Sequence, residues 1–483
     1  MVSTYLNAYP DGLPIGDQWV PCGDSVDIVF PYDLSVVATA PVGTVEDAEN
    51  ALNAAEHVAA EVEHLSTGTR RAILSSVHDH LAEHREELEN LLVLETGKPL
   101  VDCRVEVART LTTWSSAAEE VAHIHGETVP LDLQPAGEGM MGFWVRKPAG
   151  IVIGIAGFNY PLLLASHKLA PAIAAGCPIV LKPAPNTPLA TLWAVHIIRE
   201  VLAEYGVSRS VVQLVTGGID VGERLVGDPR SAVVSFTGSA AVGHQIAKNA
   251  APRKTVLELG SNTGFIVASD ASIPDAVDAV LRGGFYANGQ ACISIQRVLL
   301  QQEIAEEFQA QLLERIKEVA VGDPRSADTR VAPVINEAST QRILGWLNDA
   351  TERGAQVLAG GALEGRSLQP TVVRDVPRDL ALWSEEIFGP VVCLETVPDL
   401  DTAFEALNDS RYGLQAAIYS SSLKTAFRAI DTLKVGGVVI NEIPGFRSDI
   451  MPYGGVKDSG IGREGPRFAI EEFTVTRMAL IRP

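Results

Sequence analysis

One cysteine stands where a nucleophile could work. Cys292 follows the small-residue run Ala287-Asn288-Gly289-Gln290-Ala291 and precedes Ile293-Ser294. Small residues let a backbone come close to a ligand. A cysteine delivered on such a bend offers its sulfur and its own N–H to one carbonyl group, a nucleophile beside an oxyanion donor. Taken alone, the plain alternative is a small buried hydrophobe. Glu258 lies in Val256-Leu257-Glu258-Leu259-Gly260. An acid among apolar neighbours is costly without a task or a partner, and burial raises its pKa toward the range of a general base. The alternative is a structural carboxylate bonded to backbone N–H groups. Asn159, in Gly157-Phe158-Asn159-Tyr160-Pro161, follows a strand. Its carboxamide could aim an N–H at a developing oxyanion, or simply cap a turn.

A second set of residues suits a phosphorylated ligand. Phe236-Thr237-Gly238-Ser239 ends a strand and opens a helix, with Gly243 further on. Free N–H groups at a helix start favour an anion. No GxGxxG fingerprint follows any strand. Lys182-Pro183 ends another strand; its lysine could bind ribose hydroxyls or phosphate, or reach solvent. Glu385-Glu386-Ile387-Phe388-Gly389-Pro390 joins acids to an aromatic ring and a rigid turn. Carboxylates suit ribose hydroxyls and the ring could wall a flat heterocycle; a solvated acidic turn is the alternative.

The elements that must hold these residues follow from the hydrophobic pattern. With 483 residues, 46% hydrophobic and 20% charged, the chain is expected to form two or three units with sizeable cores. A net charge of −22 argues against nucleic acid or an anionic membrane as partner. No signal peptide is read in residues 1–21, and no run is long enough to span a bilayer. Five scattered cysteines suggest reduced cytoplasmic thiols, with neither disulfides nor a zinc site, and no metal is expected. Residues 1–40 read as short strands and turns. Thr44 and Asp47 form a capping-box pair, and Ala48, Ala51, Leu52, Ala55, Val58, Ala59 and Val62 make one helical face. A second helix is expected over 69–95, stopped by Thr96-Gly97-Lys98-Pro99, and a third over 100–122. Residues 123–143 read as a hairpin excursion.

From residue 145 the pattern alternates. Strands are expected at 151–155, 179–182, 211–215, 232–236, 265–268 and 298–301. Helices are expected at 161–175, with Pro171 a candidate break, and at 187–205, 274–286, 303–319, 340–354 and 402–408. Apolar strands alternating with helices mean a parallel sheet covered on both faces, with ligands at the strand ends. Residues 454–483 read as Gly-rich and then strand-like.

Taken in order, Asn159, Lys182-Pro183, Phe236-Thr237-Gly238-Ser239, Glu258-Leu259-Gly260, Gly289-Gln290-Ala291-Cys292 and Glu386-Ile387-Phe388-Gly389-Pro390 resemble the aldehyde dehydrogenase superfamily. So do Pro452-Tyr453-Gly454-Gly455-Val456-Lys457-Asp458-Ser459-Gly460 and Gly462-Arg463-Glu464, and the resemblance runs from about residue 30 to the end. It implies an α/β fold with a Rossmann-like cofactor domain (1–122 and 144–258), a catalytic α/β domain (259–450) and a small β oligomerisation arm (123–143 and 468–483). It implies Cys292 as the nucleophile forming a thiohemiacetal and then a thioester. Asn159 would serve the oxyanion and Glu258 would activate the hydrolytic water. It implies NAD or NADP held by Ile155, Ala156, Gly157, Phe158, Lys182, Pro185, Phe236, Gly238, Ser239, Val242, Leu259, Glu386 and Phe388, and a homodimer or homotetramer.

Phe158-Asn159-Tyr160-Pro161-Leu162 with Ser166-His167-Lys168, and Gly445-Phe446-Arg447-Ser448-Asp449, resemble the branch acting on lactaldehyde, phosphonoacetaldehyde and related small polar aldehydes. The substrate would meet Tyr160, Arg109, Ile293 and Arg447. Either arginine could clamp a carboxylate, phosphonate or sulfonate, or be an ordinary ion pair. Three departures stand out. Ser261 replaces a second glycine and adds bulk near Glu258. Pro185 stands where NAD-preferring members carry an acid, so NADP should be tolerated. Ala291 replaces the arginine that phosphonate enzymes carry before the cysteine. The competing functions are a general aliphatic or aromatic aldehyde dehydrogenase, a succinate-semialdehyde-type enzyme, a coenzyme A-acylating relative (disfavoured by Glu258) and a non-catalytic binding protein.

Overall fold

The order of strands in one sheet explains where a ligand can bind. In the computed structural model, which describes residues 8–483, six strands run in the order Gly460–Ile461, Lys254–Glu258, Ser231–Thr237, Ile151–Ile155, Ile179–Lys182, Val212–Leu214. All pair in parallel except Gly460–Ile461, which runs antiparallel along Lys254–Glu258. The chain leaves Ile151–Ile155 toward one edge, then returns to lay Ser231–Thr237 on its other side. Between these two strands the winding reverses, and the crevice beyond their carboxyl ends is the binding place of such sheets. Phe158, Asn159, Gly238 and Ser239 follow those ends.

The second sheet has seven strands in the order Gln356–Ala359, Thr371–Arg374, Val391–Val397, Arg297–Gln301, Gly264–Val267, Gln415–Tyr419, Gly437–Ile440. Only Gln356–Ala359 is antiparallel to its neighbour. A three-stranded antiparallel sheet joins Thr474–Ile481, Met141–Pro148 and Thr128–Val129. The excursion expected over 123–143 thus forms a strand that runs on to Pro148. The short-strand expectation for residues 1–40 is met from Leu13 onward; residues 1–7 lie outside the described part.

The helix Val45–Glu63 carries the expected capping box, with the Thr44 side chain accepting from the Asp47 N–H and the Asp47 carboxylate accepting from the Thr44 N–H. Its apolar face is buried except for Ala59, which is only partly covered. Thr44→Ala is expected to lower unfolding stability by about 1 kcal/mol, read from a denaturant midpoint; an unchanged midpoint would remove the cap from the stability argument.

Three expectations need correction. The helix expected over 69–95 is two helices, Thr67–Glu83 and Arg85–Thr96. His84 leaves helical geometry and packs its ring 5.2 Å from that of Trp193, and Glu86 and Glu87 open the new helix, where acids suit the dipole. Pro171 does not interrupt Pro161–Ala175. That helix is buried along its whole length, and tertiary packing outweighs the one lost hydrogen bond. The Gly-rich end contains a helix, Pro466–Glu472.

Two buried acids anchor the starts of two core helices, Pro161–Ala175 and Leu189–Glu204. Glu106 accepts from the N–H groups of Leu162 and Leu163 at 3.0 and 3.2 Å, and Glu95 from those of Leu189 and Ala190 at 2.8 and 3.1 Å. Each satisfies two donors that a helix start leaves orphaned. Glu106 also pairs with Lys98, whose ammonium lies 3.8 Å from the centre of the Tyr160 ring.

Candidate active site

Cys292 owes its position to a strained turn. Ala287 and Asn288 hold φ of 49° and 60°, in the left-handed region that side chains resist, at about 1–3 kcal/mol each. Gly289 follows at 70°, and a Cβ there would lie 2.1 Å from the Gly389 carbonyl oxygen. Hydrogen bonds over-determine the turn. The Ala287 N–H donates to Asp102 at 2.9 Å. The Asn288 amide donates to the Gly97 and Pro333 carbonyls at 3.2 and 3.0 Å, and its oxygen accepts from Ala332 at 2.8 Å. The Gln290 side chain accepts from Ile335 at 2.9 Å. The Cys292 N–H donates to no protein acceptor among the described residues.

Asn159 is tied to the same turn, its side-chain Nδ2 donating to the Gln290 carbonyl at 2.9 Å. One amide hydrogen is thereby spent on orientation and the other stays free. Cys292 Sγ lies 3.1 Å from the Tyr453 hydroxyl. Burial pushes the Cys292 thiol up to about 12, and the bond to Tyr453 works against that rise. Glu258 is buried, and neither carboxylate oxygen has a hydrogen-bond partner. Burial, then the charge of Glu464, pushes its pKa well above the usual carboxylate range. A proton-hungry carboxylate with empty lone pairs is what a general base requires.

Cys292, Asn159 and Glu258 share one cavity of about 550 Å³. Of the other residues expected there, Gly157, Phe158, Tyr160, Gly238, Ser239, Leu259, Ile293, Glu386, Phe388, Arg109 and Arg447 line it. Ile155, Ala156, Lys182, Pro185, Phe236 and Val242 do not. Lys182 is buried at the end of a strand paired with Ile151–Ile155, and burial depresses its pKa. Pro185 and Val242 are exposed. Phe236 is buried under Gly238, where a Cβ would meet its ring at 2.4 Å. Phe158 and Phe388 meet edge to face, with ring centres 5.7 Å apart.

The residues on the cofactor side fit a dinucleotide. Ser239 precedes the helix Ala240–Ala250 without a side-chain cap, leaving N–H groups free at the reversal of winding. Glu386 is held by the Ser261 N–H at 3.0 Å, and burial pushes its pKa up to about 7. The Ser261 hydroxyl pairs with Thr263 at 3.1 Å, and the Thr263 hydroxyl donates to the Cys292 carbonyl at 3.2 Å. Ser261 therefore braces the loop of Cys292.

The two arginines differ. Arg109 gives Nε and Nη2 to Asp449 at 3.0 and 2.8 Å, yet its side chain stays 22% exposed on the cavity wall. Arg447 is 5% exposed, between Asp449 (3.7 Å) and Glu464 (3.5 Å). Behind it His167 and Lys168 pair with Glu464 at 3.2 and 3.1 Å. Sequence reasoning singled out neither Glu464, Lys168 nor Tyr286 as site residues. The available signal was the charge of His167 and Lys168 inside an apolar helix, which demands a distant partner.

A doubly wound sheet with a cysteine, a carboxamide and an unpartnered carboxylate at one cavity is the arrangement in which a thiol and a bound dinucleotide could meet one substrate. Residues 19–479 match the model of the aldehyde dehydrogenase family, and the chain belongs to that family. It is 36% identical to a 3-sulfolactaldehyde dehydrogenase of Priestia megaterium, over 97% of this chain and 98% of that one. It is 35% identical to a lactaldehyde dehydrogenase of Methanococcus aeolicus, over 97% and 99%. Among solved structures it is similar to aldehyde dehydrogenase 21 of Physcomitrella patens in complex with the product succinate (TM-score 0.94, 35% identity, 98% of each chain). It is also similar to a glyceraldehyde-3-phosphate dehydrogenase of Methanocaldococcus jannaschii complexed with NADP (0.92, 34%, 95% of this chain and 100% of that one). A betaine aldehyde dehydrogenase of Staphylococcus aureus in complex with NAD+ is a third (0.94, 33%, 100% of this chain and 97% of that one). The chain is an NAD(P)-dependent aldehyde oxidoreductase. Among the described residues no helix is long and apolar enough to cross a membrane.

Proposed function

We propose that this enzyme oxidises a small polar or anionic aldehyde to its carboxylate through Cys292. The observation that carries the reading is the shared cavity of Cys292, Asn159 and Glu258, with Asn159 bonded to the nucleophile's own turn. The thiol proton leaves to solvent, and the sulfur attacks the aldehyde carbon. The carbonyl electron pair moves to oxygen, where the free N–H of Asn159 and that of Cys292 receive it. When bound, the oxidised nicotinamide accepts the hydride that leaves as this adduct becomes a thioester. Glu258, in its ionised form, then takes a proton from water. The water attacks the thioester, the C–S bond breaks, and Cys292 departs as thiolate. Lys182 and Glu386 would hold ribose hydroxyls, the Gly238-Ser239 turn the pyrophosphate, and Phe388 the nicotinamide.

The substrate class rests on the cavity wall. Arg109 offers a cation there, and the Tyr286 hydroxyl is buried without a partner. Relatives acting on 3-sulfolactaldehyde and lactaldehyde, and a neighbour holding succinate, support a polar or charged tail. A panel pairing neutral with carboxylate, phosphate and sulfonate aldehydes, each with NAD and NADP, tests this. Arg109→Ala is expected to reduce kcat/KM about a hundredfold for the anionic members and only severalfold for neutral ones. Equal losses would return Arg109 to scaffolding. Both cofactors should be used, because Pro185 supplies no acid against a 2′-phosphate; rejection of NADP would remove that residue from the argument.

The division into a cofactor domain (1–122 and 144–258), a catalytic domain (259–450) and an arm (123–143 and 468–483) belongs to the same reading. A homodimer or homotetramer is supported by the open edges. Thr474–Ile481 ends its sheet with Val475, Met478, Leu480 and Ile481 exposed. The helix Leu423–Thr432 exposes Leu423, Phe427 and Ile430 on one stripe. Bare strand edges and apolar stripes call for a partner. Free thiols on all five cysteines support a cytoplasmic location.

A further inference from the structure

The reactive sulfur has a hydrogen-bonding neighbour that the mechanism above leaves idle. Tyr453 is 4% exposed, and its hydroxyl stands 3.1 Å from Cys292 Sγ. Its backbone exchanges hydrogen bonds with Glu464, at 3.1 Å as donor and 2.7 Å as acceptor. The guanidinium carbon of Arg447 lies 3.7 Å from the centre of its ring. Arg447 is itself fixed by Glu464 and Asp449. The residue is therefore held through its backbone, and its ring is covered on one face.

Its chemistry suits a donor. Burial pushes the Tyr453 hydroxyl well above its usual range, so it keeps its proton. A thiolate accepts such a bond, whereas a thiol is only a weak donor. A cation on the ring face draws electron density away from the oxygen and strengthens the O–H as a donor. Burial makes the Cys292 thiolate costly, so one strong donor at the sulfur matters.

We propose that Tyr453 is a catalytic residue of this dehydrogenase: its hydroxyl donates a hydrogen bond to the Cys292 thiolate and holds the sulfur for attack, with Arg447 as the residue that positions the ring. The inference rests on Cys292 being the nucleophile. Tyr453 keeps its proton throughout. The thiol proton leaves before attack, the sulfur lone pair forms the C–S bond, and the carbonyl electron pair moves to oxygen. The bond from Tyr453 weakens as the sulfur loses its charge.

The test is the pH dependence of Cys292 alkylation by iodoacetamide, followed by peptide mass spectrometry in wild type, Tyr453→Phe and Arg447→Lys. In Tyr453→Phe the midpoint should move alkaline by about one pH unit, with thiolate at neutral pH and the acylation rate falling about tenfold. Aldehyde KM should stay close to wild type. Arg447→Lys should shift the midpoint the same way, less far, and affect neutral and anionic aldehydes alike. An unchanged midpoint and acylation rate in Tyr453→Phe overturns the proposal. So does an Arg447→Lys enzyme impaired only on anionic aldehydes, which would make Arg447 a substrate clamp. Retained turnover in Cys292→Ala would instead sink the nucleophile reading, whatever Tyr453 does.

Discussion

Cys292→Ala is expected to lose aldehyde oxidation by about 10⁴-fold or more while binding cofactor as tightly as the parent. The turn that carries residue 292 is held by Asp102, Asn288 and Gln290 and uses none of the sulfur's contacts. Truncation leaves the backbone N–H, the Asn159 amide and the free helix start of Ala240–Ala250 in place. What disappears is the bond that turns a neutral aldehyde into a hydride donor. Steady-state turnover reads the first expectation and a fluorescence titration with NAD+ or NADP+ the second. Normal turnover would end the thioester mechanism, and lost cofactor binding would show that the sulfur supports the fold of the cavity.

Glu258→Gln should separate the two halves of the reaction. The amide has the shape of the acid but cannot accept a proton from water. A burst of reduced cofactor, up to one per active site, should precede a steady state slowed by about 10²–10⁴-fold. The wild-type pH profile follows from the same carboxylate. Only its ionised form is a base, and burial raises the pH at which that form appears. Hydrolysis of the thioester should therefore fail on the acid side, at a pH above the ordinary Glu value of about 4.3. That acid limb should be absent from the amide variant. A full steady-state rate in Glu258→Gln would place the base elsewhere.

Much of the first sheet was legible because its strands are continuous apolar runs bounded by turns, as at Ile151–Ile155 and Ile179–Lys182. The helix Val45–Glu63 was legible from its cap and its period. The second sheet was read only in part. Thr371–Arg374, Gln415–Tyr419 and Gly437–Ile440 are short strands whose sequences carry no alternation, so only pairing with neighbours defines them. The break at His84 has no Gly or Pro to announce it. At the site, residue order pointed to Cys292, Glu258 and Asn159, but not to what surrounds them. Lys168 meets Glu464 across 296 positions and Arg109 meets Asp449 across 340. No local pattern records such pairings. Both arginines were candidates as sequence, and their burial and partners separate them.

The antiparallel strand Gly460–Ile461 also decides when the site comes into existence. It closes the edge of the sheet beside Glu258, with Glu258 facing Gly460 in the register. Chains are made from the N-terminus, and their units fold as they emerge. The parallel strands up to Lys254–Glu258 can assemble while that edge is still bare. Cys292 is then present without Arg447, Tyr453 or Glu464, which the ribosome delivers later. Synthesis itself thus acts as a timer: the thiol gains these three neighbours only after the later strands and helices have been made, and a chain cut between Cys292 and Arg447 keeps the cysteine but lacks all three.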